Sequence, residues 1–150
     1  MIRFRDATEA DLTAILALLR DDTLGAAREA AGDLAPYRAA FARIAAAPDQ
    51  QLVVGEDAAG AIVATCQLSV LPGLSNAGRI RGQIEAVRVA SHLRSQGIGA
   101  ALMAEAERRL RAAGCGVMQL TTDRSRTRAH AFYEGLGFTA THIGYKRTLT

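Results

Sequence analysis

Residues 94–103 read RSQGIGAALM and place two glycines one residue apart at the mouth of an apolar helical pattern. Inside a helix, Gly costs roughly 0.5–1 kcal/mol relative to Ala. Ser, Thr or Asp is the more usual opener. The stretch just before it, RIRGQIEAVRVA, has the length and alternation of a long strand. The chain must therefore fold around a strand, a short glycine loop and a helix. Two explanations of the glycines stand side by side. Something approaches the backbone more closely than a side chain would allow, or the helix starts with small residues because it packs tightly on a sheet.

The elements on either side bound the fold. IRFRDA alternates and predicts a first strand. Thr8 with Asp11 resembles a capping box, and Leu12, Ile15, Leu16 and Leu19 form a helical stripe. The pattern weakens from Thr23 to Gly32, which suggests a loop or a broken helix. Pro36 suits the first turn of a helix PYRAAFARIAAA that ends before Pro48. QLVVGED and AIVATCQLSVL flank AAG as a hairpin, and PGLSNAG reads as a loop. In RIRGQIEAVRVA, Glu85, Val87 and Val89 are expected on one face, with Ile84, Ala86 and Arg88 on the other. The helix behind the glycines runs to about Ala113. GVMQLTT is an apolar strand, RAHAFYEGLGF a helix stopping at Gly135 or Gly137, and TATHIGYKRTL an alternating strand that closes the chain. The order β-α-α-β-β-β-α-β-α-β predicts an α/β domain with antiparallel pairing in its middle. A dinucleotide fold would set its glycine turn near the first strand, and this chain does not.

A chain of 150 residues suffices for one domain with a proper core, and residues 1–150 are read as one. No stretch approaches the ~18 uninterrupted apolar residues of a membrane span. MIRFRDATEADL has no apolar signal core, so a cytoplasmic protein is expected. Cys66 and Cys115 have no partner pattern and read as reduced, mostly buried thiols. His92, His130 and His142 lack metal-ligand spacing, so no metal is expected. Lys146 is the sole lysine, and arginine favours bidentate phosphate contacts. A net charge of +3 with only 5% aromatic residues gives nucleic acid few stacking platforms.

A helix N-terminus offers unsatisfied N–H groups and the positive end of the helix dipole. Gly97 and Gly99 would expose those donors to a pyrophosphate, and Arg94 could pair with the same group. Tight packing on a sheet explains the glycines equally well. No Lys-Ser/Thr follows the second glycine, which argues against nucleoside triphosphate hydrolysis.

Arg94-Ser95-Gln96-Gly97-Ile98-Gly99 resembles the R/Q-x-x-G-x-G/A motif of the GNAT N-acetyltransferases. IEAVRV is similar to that family's central strand, and AHAFYEGLGF to its last-helix motif. The resemblance covers nearly the whole chain and implies the GNAT (acyl-CoA N-acyltransferase) fold, a mixed central sheet flanked by helices. It implies acetyl-CoA as co-substrate, with backbone amides from about Gln96 to Ala100 on its pyrophosphate. The strand at Val87, Arg88 and Val89 would separate from its neighbour and offer backbone groups to the pantetheine arm. The Val89 N–H would then face the thioester carbonyl like an oxyanion hole.

The resemblance also assigns proton carriers. Tyr133 matches the general-acid tyrosine close to the sulfur. A phenol ordinarily titrates near pH ~10 and so can donate; the plain alternative is a helix residue packed on the sheet. Glu85 matches an acid that serves as general base, often through water, and the neighbouring second acid of some relatives is Ala86 here. Arg126 replaces an asparagine that often contacts the pantetheine arm. It either contacts cofactor phosphates or an acidic substrate, or belongs to a solvated basic run with Arg124 and Arg128. The expected reaction is direct attack of a small-molecule primary amine on the thioester. The acceptor pocket is expected from the first two helices, the segment between Thr23 and Pro36, and PGLSNAG. The alternatives are a protein or peptide acetyltransferase and a non-catalytic coenzyme A sensor. Relatives lead us to expect a homodimer.

Overall fold

Charge ties the first strand to the first helix. In the computed structural model, which describes residues 1–29 and 32–150, strand β1 (Arg3–Asp6) carries Arg5. The Arg5 guanidinium donates to both oxygens of Asp11, at 2.7 and 2.9 Å, and to Glu56 at 2.7 Å. Asp11 closes a capping box by accepting the Thr8 N–H at 2.7 Å. The box opens a 3₁₀ turn, Glu9–Asp11, that runs into helix α1 (Leu12–Arg20). Leu12, Ile15 and Leu16 are buried as their spacing predicts. The fourth buried position is Leu18 instead of Leu19, which is only partly covered.

The described residues gather into two compact units, Met1–Gln119 and Leu120–Thr150. In the first, a short helix α2 (Thr23–Arg28) occupies part of the segment expected as a loop or broken helix. The rest of that expectation includes residues 30 and 31, which lie outside the described residues. Helix α3 (Ala35–Ala46) begins with Pro36 in its first turn, as expected. Strands β2 (Gln50–Glu56) and β3 (Ile62–Leu71) form the predicted hairpin, its turn held by Asp57 Oδ1 accepting the Ala59 and Ala61 N–H groups. A single turn, α4 (Ser75–Gly78), leads to β4 (Arg81–Val89), then α5 (Ile98–Ala112) and β5 (Val117–Leu120), whose last residue opens the second unit.

Among the described residues the strands form one sheet in the order β1-β2-β3-β4-β5. The first three neighbour pairs are antiparallel. The β4–α5–β5 crossover is the connection a parallel neighbour requires, so the sheet is mixed. Strand β3 is central and buried on both faces. Val63 faces Leu18 of α1. On the opposite face Leu110 of α5 lies over Gly82, where an added Cβ would come within 2.5 Å of the leucine. Gly82 therefore lets the helix behind the glycine loop seat directly on β4.

The alternation expected along β4 breaks at Ala86. Gln67 pairs with Glu85 and Thr65 with Arg88, so Ala86 and Val87 together oppose Cys66. This is a β-bulge, and Ala86 sits in the left-handed region at φ 51°. The extra residue flips the downstream face. Glu85 shares a face with Arg88, on the side of Thr65 and α1, while Val89 joins Ile84 on the side of α5. Glu85 and Val89 thus lie on opposite faces, which corrects the expectation that Glu85, Val87 and Val89 share one.

The second unit carries α6 (Thr127–Gly135), stopping at one of its two expected glycines. The closing strand expected over 139–149 is not formed. Alternation supplies a face, but a ladder needs a neighbour, and within this unit only Leu120 of β5 is strand. Cys66 is a buried free thiol whose burial pushes its pKa up to about 12, and Cys115 is a partly covered free thiol. No helix of the described residues is long and apolar enough to cross a membrane.

Two stability experiments follow from these contacts. The Arg5 hydrogen bonds lower the Asp11 pKa from 3.8 to about 2. A depressed carboxylate stabilises the fold fully above its unfolded value and loses that contribution as pH falls through its folded one. Acid titration of the unfolding free energy should therefore show about 2 kcal/mol disappearing between pH 4 and pH 2. Asp11→Asn should remove that pH dependence and lower stability at neutral pH. Ala86→Gly relieves the left-handed alanine at an exposed position. It should raise stability by up to about 1 kcal/mol, or roughly 2–4 °C in melting temperature by calorimetry.

Candidate functional site

Strand β4 delivers the chain to the head of α5, and its ladder determines which backbone groups are free there. The Ala90 N–H donates to the Val63 carbonyl at 2.9 Å, which makes 90 and 63 a hydrogen-bonded pair. Such pairs alternate along an antiparallel ladder. Val89, opposite Ala64, therefore turns its N–H and carbonyl away from β3. Its carbonyl accepts Arg94 Nε at 3.3 Å. At the other end of β4, the Gly116 N–H donates to the Ile80 carbonyl at 2.9 Å and Gln119 Nε2 to Gln83 Oε1 at 2.8 Å, tying β5 alongside.

A 3₁₀ turn, Ser91–Leu93, follows β4 and is packed down by its apolar residues. Ala90 is buried with Leu18 and Val63, and Leu93 lies against that cluster. The chain then passes Arg94, Ser95 and Gln96, with Ser95 left-handed at φ 64°. Gln96 Nε2 donates to the His92 carbonyl at 3.4 Å. Gly97 is left-handed at φ 81° and is the N-cap of α5. The first helical bond is from the Ala101 N–H to the Gly97 carbonyl, 3.0 Å, and among the described residues no side chain caps the helix. The amides of Ile98, Gly99 and Ala100 are thus the unpaired first-turn donors of a fifteen-residue helix. Among the described residues, its chain neighbours and its own helix backbone aside, no atom lies within 4 Å of where a Gly97 Cβ would stand. Its glycine is needed for the backbone angle, and the space above it is open.

The charged groups around this loop have definite partners. Arg94 Nη2 donates to the Asp21 carbonyl at 2.8 Å, and its guanidinium lies 4.0 Å from the Asp21 carboxylate. The two hydrogen bonds direct Arg94 to the loop's own scaffold. Arg88 Nη1 donates to the Val87 carbonyl at 2.9 Å, and its Nε lies 3.5 Å from Asp22 Oδ2. Glu85 is exposed, on the sheet face that carries α1. Sequence reasoning overlooked Asp21 and Asp22. Their contacts with Ser91, Arg94 and Arg88 lie about seventy positions away, and the local signals were a pair of acids directly after a helix and the spacing from Asp22 to Gly25, whose N–H it caps.

In the second unit, Arg126 is the N-cap of α6. Its carbonyl accepts the Ala129 and His130 N–H groups at 3.0 and 3.1 Å. His130 Nε2 lies 3.0 Å from the Asp123 carbonyl, so its imidazole is engaged on the loop before the helix. The Tyr133 ring stands edge-on to Phe132 and Phe138, with centroids 5.2 and 5.9 Å away. Among the described residues no group of three or more His, Cys, Asp or Glu is placed to hold a metal ion.

An open helix mouth behind a bulged, antiparallel-to-parallel strand defines the class of fold. The profile of the Acetyltransferase (GNAT) family matches residues 12–138, and the chain belongs to that family. Among solved structures, a transcriptional regulator from Bacillus halodurans C-125 is 38% identical, covers 99% of this chain and 100% of its own, and superposes with a TM-score of 0.94. A putative acetyltransferase from Agrobacterium tumefaciens str. C58 is 28% identical over 97% of this chain and 99% of its own, with a TM-score of 0.84. A glucosamine-6-phosphate N-acetyltransferase from Arabidopsis thaliana shares the fold at 19% identity and a TM-score of 0.82, covering 100% of this chain and 99% of its own. No curated protein sequence matches the chain.

The open space at Gly97 gives a direct check on the backbone. Gly97→Ala meets no neighbour but forces alanine to φ 81°. Urea denaturation should register a loss of about 1 kcal/mol with the fold retained.

Proposed function

We propose that this chain is an acetyl-CoA-dependent N-acetyltransferase whose acceptor is a primary amine on a small molecule. The observation that carries the reading is the uncapped first turn of α5 behind a left-handed Gly97. Three unpaired amides and the positive end of a long helix suit a diphosphate. The donor set fits that group, and Ile98, Gly99 and Ala100 would hold it, with Gln96 and Gly97 beside them. The acetyl thioester supplies the activated acyl group. The Val89 N–H, turned away from β3, is the donor we assign to its carbonyl. Arg94 keeps the Val89 carbonyl engaged and so keeps that strand end oriented. The family's membership and the 28% identical acetyltransferase support the reaction class.

Transfer to an amine needs a base and an acid. Tyr133, in the AHAFYEGLGF stretch, is assigned as the proton donor to the leaving sulfur, since a phenol is protonated at neutral pH. Glu85 is assigned to the amine side, acting through water. It shares its sheet face with α1, one of the helices we assign to the acceptor wall. Arg126 is assigned to an anionic part of the cofactor or substrate. We read the two units as one functional domain, because the family match crosses from one into the other, and the working form as a cytoplasmic homodimer.

A second reading has its own observation. The 38% identical structure is described as a transcriptional regulator, which suits a coenzyme A-binding sensor that performs no transfer. A panel of small amines and peptides, read by release of free thiol from acetyl-CoA, separates the readings. Turnover of small amines supports ours, turnover of peptides alone makes the chain a peptide acetyltransferase, and binding without any turnover makes it a sensor. With an active amine in hand, Tyr133→Phe should lower kcat roughly 100-fold while acetyl-CoA still binds. An unchanged kcat removes Tyr133 from the mechanism.

A further inference from the structure

Asp21 touches the glycine loop from across the fold. It is the C-cap residue of α1, on the sheet face opposite α5. Its carboxylate accepts the Ser91 N–H at 2.7 Å. Its backbone carbonyl accepts Arg94 Nη2 at 2.8 Å, and the same guanidinium faces its carboxylate at 4.0 Å. Ser91 and Arg94 begin and end the turn that feeds the loop. One residue therefore grips both ends of the segment between β4 and α5.

The neighbouring acid extends the grip. Asp22 Oδ1 accepts the Gly25 N–H at 2.5 Å and caps α2, while Oδ2 faces Arg88 of β4 at 3.5 Å. The α1–α2 corner is thus bound to β4 through Asp22 and to the loop through Asp21. Leu18 secures the same corner by packing on Ala90 and Leu93. Exposed ion pairs contribute little to stability, and the Asp21 and Arg94 side chains are 35% and 37% exposed. A charge-assisted bond to a backbone N–H acts mainly by fixing where that backbone lies.

We propose that Asp21 is a positioning residue for the coenzyme A diphosphate: by holding the Ser91 N–H and Arg94 it fixes the 94–99 loop in the shape that aims the first-turn amides of α5. The inference rests on the acetyl-CoA reading above. Binding energy at such a site depends on donors that are already aimed. When the clamp is lost, the loop must be ordered by the ligand, and affinity falls although no contacting atom has been removed. Through the α1–α2 corner, the acceptor wall and the cofactor loop share one anchor.

Isothermal titration of the full chain with coenzyme A tests this, alongside thermal melting without ligand. Asp21→Ala removes the bond to the Ser91 N–H and the charge facing Arg94 but keeps the carbonyl bond to Arg94; it should weaken coenzyme A binding roughly tenfold, while the ligand-free melting temperature falls by only a few degrees, as for an exposed contact. Asp21→Asn keeps an acceptor for the Ser91 N–H and removes the charge facing Arg94, so it should lie between wild type and Asp21→Ala. It also serves as the readable variant if Asp21→Ala does not fold. A merely structural role would lower the melting temperature and leave the affinity of the folded protein unchanged. Wild-type affinity in both variants overturns the proposal. Absence of coenzyme A binding by the wild type overturns the acetyl-CoA reading first, and the role of Asp21 with it.

Discussion

Helix α5 opens on a left-handed glycine with no capping side chain, and the rest of the first unit is arranged behind that opening. A helix of this length leaves its first amides unpaired by geometry. Most helices return a Ser, Thr or Asp side chain to those donors. Here the position that would supply one is glycine, so among the described residues no side chain returns to those donors. The bareness is tolerated because the helix is anchored elsewhere. Leu102, Met103, Ala106 and Leu110 are buried in its stripe, and Gly82 lets Leu110 reach the sheet backbone.

The bulge at Ala86 gives the site its sidedness. Without it, Glu85 and Val89 would project from the same face of β4. With it, Glu85 and Arg88 belong to the α1 face and Val89 to the α5 face. Arg88 thus reaches the α1–α2 corner, where it meets Asp22. The backbone at Val89 stays clear of β3. One left-handed alanine thus puts on opposite faces the Glu85 and Val89 side chains that the sequence spacing alone would have put together.

Local features of this fold were legible in the sequence, and features set by distant partners were not. The Thr8–Asp11 box, Pro36 in the first turn of α3 and the hairpin at AAG are written in three to five consecutive residues, and they formed as read. The glycine pair marked the head of α5 as the place of close backbone approach, while the left-handed angle of Gly97 came only with the structure. Ala86 adopts a similar angle without any sequence signal, so the face of Glu85 was misassigned. The alternation of residues 139–149 predicted a strand that is not formed, because a strand exists only with a neighbour. Asp21 carried no local signal beyond its place in an acid pair after a helix, since its bonds to Ser91 and Arg94 join positions about seventy residues apart.

The central claim is that the backbone at the head of α5 receives a diphosphate. Titrating the ¹⁵N-labelled chain with coenzyme A and following amide shifts addresses those atoms directly. The account predicts that Gly97, Ile98, Gly99 and Ala100 move furthest and saturate together. Saturable binding that leaves these four amides in place, or no change at millimolar ligand, would contradict it.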